Sequence, residues 1–442
     1  MRAPAPAAIT SQPSPTALPR LLSGLDPSGG PVGIHEHLSR WGALRFSRAG
    51  TSLLDELEAS GLAGHGGAWF PVAAKWRSVR GGALNRPVVV ANGAEGEPAS
   101  SKDALLLARV PHLVLDGASL AAAALGATRV VVYVPTRLVA SVESAVGARR
   151  LLALDPVEIE VVTAPDRFIA GQESAVVNAL NRREPVPTFV GIQPVRQRGV
   201  SGRPTLVQNA ETLAHVALVA RFGSAWFRGL GTATSPGTML LTVTGRWSTP
   251  QIIESPLGVP LRDVLRLSND EANQYWGVLL GGYGGGWIAT QTALDLPLTE
   301  QAAREHGTSL GAGVVVLLPR SACPLAESAR VVRYLERQNA GQCGPCVNGL
   351  AELADRCAAL ASRPSALGGH VQPILDLCDL VEGRGACRHP DGAARFVRSA
   401  LSVFSDEVAA HLKGGPCRQV AAPSTLPRLD RIRRVSRQAD TR

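Results

Sequence analysis

Three groups of residues in this 442-residue chain have types and spacings suited to chemistry. The first is GHGGAWFPVAAKW, 64–76, where Gly64, Gly66 and Gly67 open backbone conformations closed to other residues and let a ligand approach the main chain. Converging N–H groups in such a loop bind anions. A helix beginning after Pro71 adds partial positive charge at its N-terminus, and Lys75 supplies a full one. The second group is the acidic loop ANGAEGEPASSKD, 91–103, with Asn92, Glu95, Glu97 and Lys102. The third is NAGQCGPCVN, 339–348, in which Cys343 and Cys346 form a CxxC, followed 41 positions later by Cys387. Thiolates so spaced hold zinc or an iron–sulfur cluster. A redox dithiol is the alternative, but that motif belongs beside a βαβ pattern, and here the surroundings read as helical.

Lysine usage sharpens the reading. Among 45 basic residues only Lys75, Lys102 and Lys413 are lysines, and two of them flank the glycine and acidic motifs. A compact ammonium differs chemically from a guanidinium fork, so both positions are expected to need it for function.

The elements around these groups follow from hydrophobic pattern. VVVAN after Pro87, RVVVYV at 129–134 and VEIEVV at 157–162 read as buried strands, and alanine-rich helical segments lie between them. Continuous apolar strands alternating with helices predict a mostly parallel sheet covered on both faces, with ligands beyond the carboxyl ends of the strands. FIAGQESA, 168–175, places Gly171, Gln172 and Glu173 before an apolar helix, and PTLVQNAETL, 204–213, places Gln208, Asn209 and Thr212 before another. Each also reads as an ordinary helix N-cap. From Gly237, short alternating segments predict a small α+β module, whose glycine run at 281–286 reads as a turn. From Pro324 the pattern is helical and rich in arginine.

Composition sets the bounds. A hydrophobic content of 45% supports substantial cores. No apolar run reaches the roughly 18 residues of a membrane span, and no signal-peptide pattern opens the chain, so a cytoplasmic protein is expected. The net charge of +9 is concentrated: seven arginines and two aspartates after position 416 give that tail +5 and leave +4 for the rest. This argues against nucleic-acid binding, and the tail suits an acidic partner, an anionic surface or a solvated end. All seven cysteines lie at or beyond Cys323, which favours metal over a disulfide framework. The expected organisation is a flexible Pro-rich leader over 1–34, an α/β domain over 35–235, an α+β module over 236–315, a helical domain over 316–415 and a basic tail over 416–442.

Taken together and in this order, the motifs resemble those of the flavin- and NADH-binding 51 kDa subunit of respiratory complex I and its relatives in NAD-reducing hydrogenases and formate dehydrogenases. The resemblance spans about 35–413. It implies a Rossmann-like parallel-sheet domain, a ubiquitin-like α+β (SLBB) module and a C-terminal helical bundle. It further implies that Gly64, Gly66, Gly67 and Lys75 hold the phosphate and ribityl region of FMN, with Asn92 and Glu95 beside the flavin and Gly171, Glu173, Asn209 and Thr212 completing the pocket. Phe70 and Glu97 match positions used toward the NAD(H) dinucleotide, and Cys343, Cys346 and Cys387 match three ligands of a [4Fe–4S] cluster. Cys378 competes with Cys387. The implied function is electron transfer from NAD(P)H through FMN to the cluster and then to a ferredoxin-like or membrane-associated redox partner.

This sequence departs from the family pattern at several positions. Ala340 stands where the first cluster cysteine is expected, leaving a [3Fe–4S] cluster, a [4Fe–4S] cluster with water or another side chain as fourth ligand, for which Cys378, Cys357, Asn339 and His389 are candidates, or a lost cluster, against which the three retained cysteines argue. Ala94 replaces an aspartate near the flavin, Gln172 one of a glutamate pair and Ser78 an aromatic. Gly191 to Val195 lacks a lysine, and Trp69 stands where glycine is usual. FMN is therefore better supported than NADH. The alternative function is a degenerate subunit serving as an assembly platform, and a structural zinc site is a third reading of the cysteine region.

Overall fold

The computed structural model describes residues 17–25, 29–44, 46, 51–79, 85–189 and 195–427. Most of the expected leader, the segment 190–194 and the end of the basic tail lie outside the described residues.

The N-terminal domain is built on four parallel strands, β1 Val88–Asn92, β2 Arg129–Pro135, β3 Glu158–Ala164 and β4 Thr205–Asn209, in the order β3-β2-β1-β4. Val88, Val89 and Val90 of β1 are fully buried, as expected where helices cover both faces of a parallel sheet. The chain leaves β1 toward β2 and returns on the other side as β4, so the order reverses between β1 and β4. Asn92 and Asn209 end these neighbouring strands in register, which places both at the crevice where such sheets bind ligands. The two helices packed beside this crevice, Pro111–Leu125 and Ala210–Phe227, cross closely at Gly117, where a Cβ would lie 2.0 Å from the Leu213 carbonyl oxygen.

The second module is a mixed sheet of β5 Thr238–Thr244, β6 Gln251–Pro256, β7 Tyr275–Leu280, β8 Gly286–Ala289 and β9 Val314–Pro319, in the order β6-β5-β9-β7-β8. First and last strands pair in parallel and the other pairs are antiparallel, which is the ubiquitin-like arrangement. Helices Pro324–Arg337, Leu350–Ser362, Gln372–Val381, His389–Val403 and Ser405–Gly414 form the C-terminal bundle. The fold is thus the α/β domain, ubiquitin-like module and helical bundle expected from sequence. No single helix among the described residues is long and apolar enough to cross a membrane.

Candidate functional site

Two cavities of about 370 and 310 Å³ lie at the carboxyl ends of β1 and β4 and share Gly66, Asn92, Gly171, Gln172 and Asn209. Glycine is required where they meet. Gly67 holds φ at +108°, and a Cβ on Gly66 would press on the Asn209 Cβ at 3.1 Å. The glycine loop is fixed from below by Thr212, whose hydroxyl accepts the His65 N–H at 2.9 Å, and from within by Gly64 N–H to the Phe70 carbonyl at 2.9 Å.

The smaller cavity is lined by Gly64, Trp69, Phe70, Lys75, Glu173 and Gln208 beside the shared residues. Phe70 is 47% exposed, free to present its ring. Lys75 Nζ donates to the Val207 carbonyl at 2.6 Å and lies 3.4 Å from Glu173 Oε1. Asn92 Nδ2 donates to the Gly171 carbonyl at 2.8 Å, joining the β1 end to the loop after β3. Asn209 caps the helix Ala210–Phe227 by accepting from Glu211 and Thr212 N–H, and its Nδ2 donates to Asp103 at 2.6 Å.

The larger cavity includes Glu95, Glu97, Asp103, Phe168 and residues from all three units, among them Gly281, Gly284, Gly311 and Arg395. Glu97 accepts Ala99 N–H at 3.2 Å and Tyr283 N–H at 2.9 Å, and burial pushes its carboxyl up to about 7. The glycine run 281–286, read from sequence as a turn alone, therefore also closes the cavity against Glu97. Arg395 reaches the same wall by donating to the Gly284 carbonyl. It carries no motif signal, because it arrives from an element distant in sequence.

Three sequence assignments change in detail. Glu95 reaches the cavity wall, but its carboxylate accepts Asp103 and Ala104 N–H, both at 3.0 Å, and so caps the helix Lys102–Arg109. Thr212 is fully buried and lines neither cavity. Lys102 is 1% exposed and lies 2.7 Å from Glu211 and 3.0 Å from Asp103. Burial opposes its charge, but Asp103 and Glu211 outweigh that and raise its pKa. Its ammonium serves a buried ion cluster under the site rather than a ligand.

In the helical domain Cys343, Cys346 and Cys387 share one electrostatic neighbourhood. Burial raises the Cys346 thiol, and Cys343 and Cys387 add to the effect; Cys387 is raised by burial and then by Cys343. Cys378 instead neighbours Cys357. Two other fourth-ligand candidates are engaged: His389 Nε2 faces the Leu335 carbonyl at 2.8 Å, and Asn339 accepts Gly341 N–H at 2.7 Å.

Residues 57–218 match the family model described as Nuo51 FMN-binding domain, and residues 326–411 match that described as NADH-ubiquinone oxidoreductase-F iron-sulfur binding region. The F-type subunit of the NADH-quinone oxidoreductase of Mycobacterium bovis is 30% identical over 383 residues, covering 81% of this chain and 84% of the relative. The chain belongs to this family of NADH-quinone oxidoreductase F-type subunits. The corresponding protein of Escherichia coli is 28% identical, covering 87% of this chain and 90% of that one. A chain of an NAD+-reducing [NiFe]-hydrogenase in the H2-reduced state superposes with a TM-score of 0.72 at 29% identity, covering 82% of this chain. This chain spans 62% of the length of that hydrogenase chain.

The residues present fit the two groups these family models name. The paired cavities have glycine-cradled backbone, a cation at Lys75 and amides at Asn92 and Asn209, suited to a phosphate and a heteroaromatic ring. The three thiols form a soft donor set, and a cluster would hold as thiolates the Cys346 and Cys387 groups that burial keeps protonated. Two departures from the family pattern acquire roles. Gln172 caps the helix Glu173–Leu180 by accepting Ser174 and Ala175 N–H. Trp69 holds φ at +52° and donates from Nε1 to the Gly311 carbonyl at 3.1 Å, tying the glycine loop to the ubiquitin-like module.

Proposed function

We propose that this chain is an electron-transfer protein that passes electrons from a reduced nicotinamide through FMN to an iron–sulfur cluster and on to a partner redox protein. The observation that carries the reading is the junction between cavity and cysteine loop. Phe168 N–H donates to Gln338 Oε1 at 3.0 Å and Arg167 donates to the Asn339 carbonyl at 3.3 Å, so the wall of the larger cavity is bonded to the residues leading into Cys343.

Bound FMN would supply hydride acceptance and release of single electrons, chemistry that the protein's own side chains lack. The chain's contribution is placement. Gly64, Gly66 and Gly67 would present backbone to the phosphate and ribityl region, with Lys75 as counter-charge. Asn92, Gly171, Glu173 and Asn209 would flank the ring, while Glu95 and Thr212 hold the walls from behind. Phe70 and Glu97 would face a dinucleotide, and Cys343, Cys346 and Cys387 would hold the cluster. A ferredoxin-like or membrane-associated protein in the cytoplasm would take the electrons.

A second reading, an assembly platform without NADH oxidation, is favoured by Ala340 and by the use of Gln172 as a helix cap. The absorption spectrum of anaerobically purified protein separates them. Flavin and cluster bands that bleach with NADH support electron transfer. Bands indifferent to NADH remove the nicotinamide as donor, and protein that takes up neither FMN nor iron with sulfide overturns the reading.

A further inference from the structure

A third cysteine cluster lies apart from the cavities and from Cys343, Cys346 and Cys387. The Sγ atoms of Cys323 and Cys417 and a ring nitrogen of His411 all fall within 4.8 Å of one another. They come from separate places in the bundle. Cys323 caps the helix Pro324–Arg337, its sulfur accepting Ala326 N–H at 3.4 Å. His411 belongs to the helix Ser405–Gly414, and Cys417 follows in the C-terminal segment.

The imidazole is set in a ligating tautomer. His411 Nδ1 lies 3.3 Å from the Leu360 carbonyl, which can only accept, so Nδ1 carries the proton and Nε2 presents its lone pair. Nε2 lies 3.8 Å from Cys323 Sγ and accepts the Cys417 N–H at 3.4 Å, a long bond that a metal on Nε2 would displace. A backbone carbonyl on the far nitrogen is the usual orienting partner of a metal-bound histidine. Donors on tetrahedral zinc stand roughly 3.5 to 3.8 Å apart, given Zn–S near 2.3 Å and Zn–N near 2.0 Å, so the sulfur–nitrogen spacing needs little adjustment.

We propose that Cys323, His411 and Cys417 bind one zinc ion, which clasps the C-terminal segment onto the helical bundle. Two thiolates and an imidazole favour zinc over the oxygen-seeking cations, and the half-exposed Cys417 leaves water access for a fourth ligand. Burial and the neighbouring Cys417 push the Cys323 thiol up to about 12, a cost that a bound dication reverses. By contrast, His65, Glu211 and His215 also converge, but the Lys102 ammonium already sits 2.7 Å from Glu211 and repels a second cation.

The clasp has a structural consequence. Beyond Cys417 the segment runs back over the bundle, with Arg330 donating to the Val420 and Ala422 carbonyls and Glu327 accepting from Ser424 Oγ at 2.7 Å and Thr425 N–H at 3.1 Å. It reaches Pro427, whose carbonyl accepts the Tyr283 hydroxyl at 2.6 Å. Tyr283 is the residue whose N–H holds Glu97, so the zinc anchors a segment ending beside the larger cavity.

The test uses the full chain, purified anaerobically with thiols reduced and dialysed against zinc and a weak chelator. About one zinc per chain is expected in the wild type, lost at least about tenfold in Cys417→Ser and in His411→Gln, with flavin and iron content unchanged in both. Cobalt(II) added to wild-type protein should give tetrahedral thiolate bands that Cys417→Ser abolishes, a readout independent of the zinc assay. Zinc retained in both variants, absence of zinc and cobalt from correctly folded wild type, or a Cys323–Cys417 disulfide in the anaerobic protein would each overturn the proposal.

Discussion

Phe168 N–H donates to the side chain of Gln338 at 3.0 Å, joining a residue of the cavity wall to the C-cap of the helix that leads into the cysteine loop. A hydrogen bond of this kind contributes about 1 kcal/mol, enough to fix the distance between two redox groups. Gln338→Ala is expected to leave FMN and iron content unchanged and to slow electron passage between them several-fold. Stopped-flow absorbance at flavin and cluster wavelengths checks this. Equal rates in variant and wild type would remove the contact from the electron path.

The two motif lysines are predicted to separate. Lys75 lies at the cavity and one-fifth of its side chain is exposed, so Lys75→Ala should weaken FMN binding while hardly moving the denaturation midpoint. Lys102→Met leaves Asp103 and Glu211 buried without their counter-charge, and breaking such a pair costs about 3 to 5 kcal/mol. Its chemical denaturation curve should shift accordingly. A stable Lys102→Met protein that has lost only flavin would return Lys102 to the binding site.

This contrast shows what the sequence made legible. Lysine rarity singled out two positions but could not say which borders a cavity, because burial depends on how Glu211, more than a hundred residues away, is brought beneath the loop. The parallel strands were readable from their valine runs, whereas β4 was not: TLVQN is short and half polar, and only its pairing with β1 makes it a strand. Arg395 joined the cavity through tertiary packing and carried no local signal, while Gly284 was visible only as part of a glycine-rich turn. Cys417 and His411 are close in sequence, yet their convergence with Cys323 depends on the crossing of two helices.

Acid should weaken the fold through His65. Burial, and next Lys102, hold its pKa down to about 3, against roughly 6.5 in an unfolded chain. The imidazole is neutral in the fold, so its favourable contribution is complete above pH about 6.5 and is lost as pH falls toward 3, where the unfolded chain binds the proton first. His215, also buried, is shifted in the same direction. Between pH 6.5 and 5 the His65 shift accounts for about 1.6 kcal/mol. His65→Phe should therefore flatten the pH dependence of urea unfolding by about that amount, and an unchanged slope would mean that water or protein groups already satisfy the charged ring.

Trp69→Gly tests whether the indole limits dinucleotide binding. Trp69 sits at φ +52° in a wall of the smaller cavity, next to Phe70. Left-handed backbone costs a residue with a Cβ about 1 to 2 kcal/mol, so glycine relieves strain while losing the 3.1 Å bond to Gly311, worth about 1 kcal/mol. The indole's packing against the core of the second module and its ring contact with His65 at 4.9 Å are lost as well, so the denaturation midpoint should fall. The freed volume lies where the Phe70 ring faces the cavity, so affinity for NADH should rise up to about tenfold, equivalent to 1.4 kcal/mol, with FMN content constant. Equilibrium titration of the oxidised protein with NAD+ and anaerobic titration with NADH read this directly. Unchanged affinity for both in a variant that retains FMN would show that the cavity is limited by Glu97 and the second module instead.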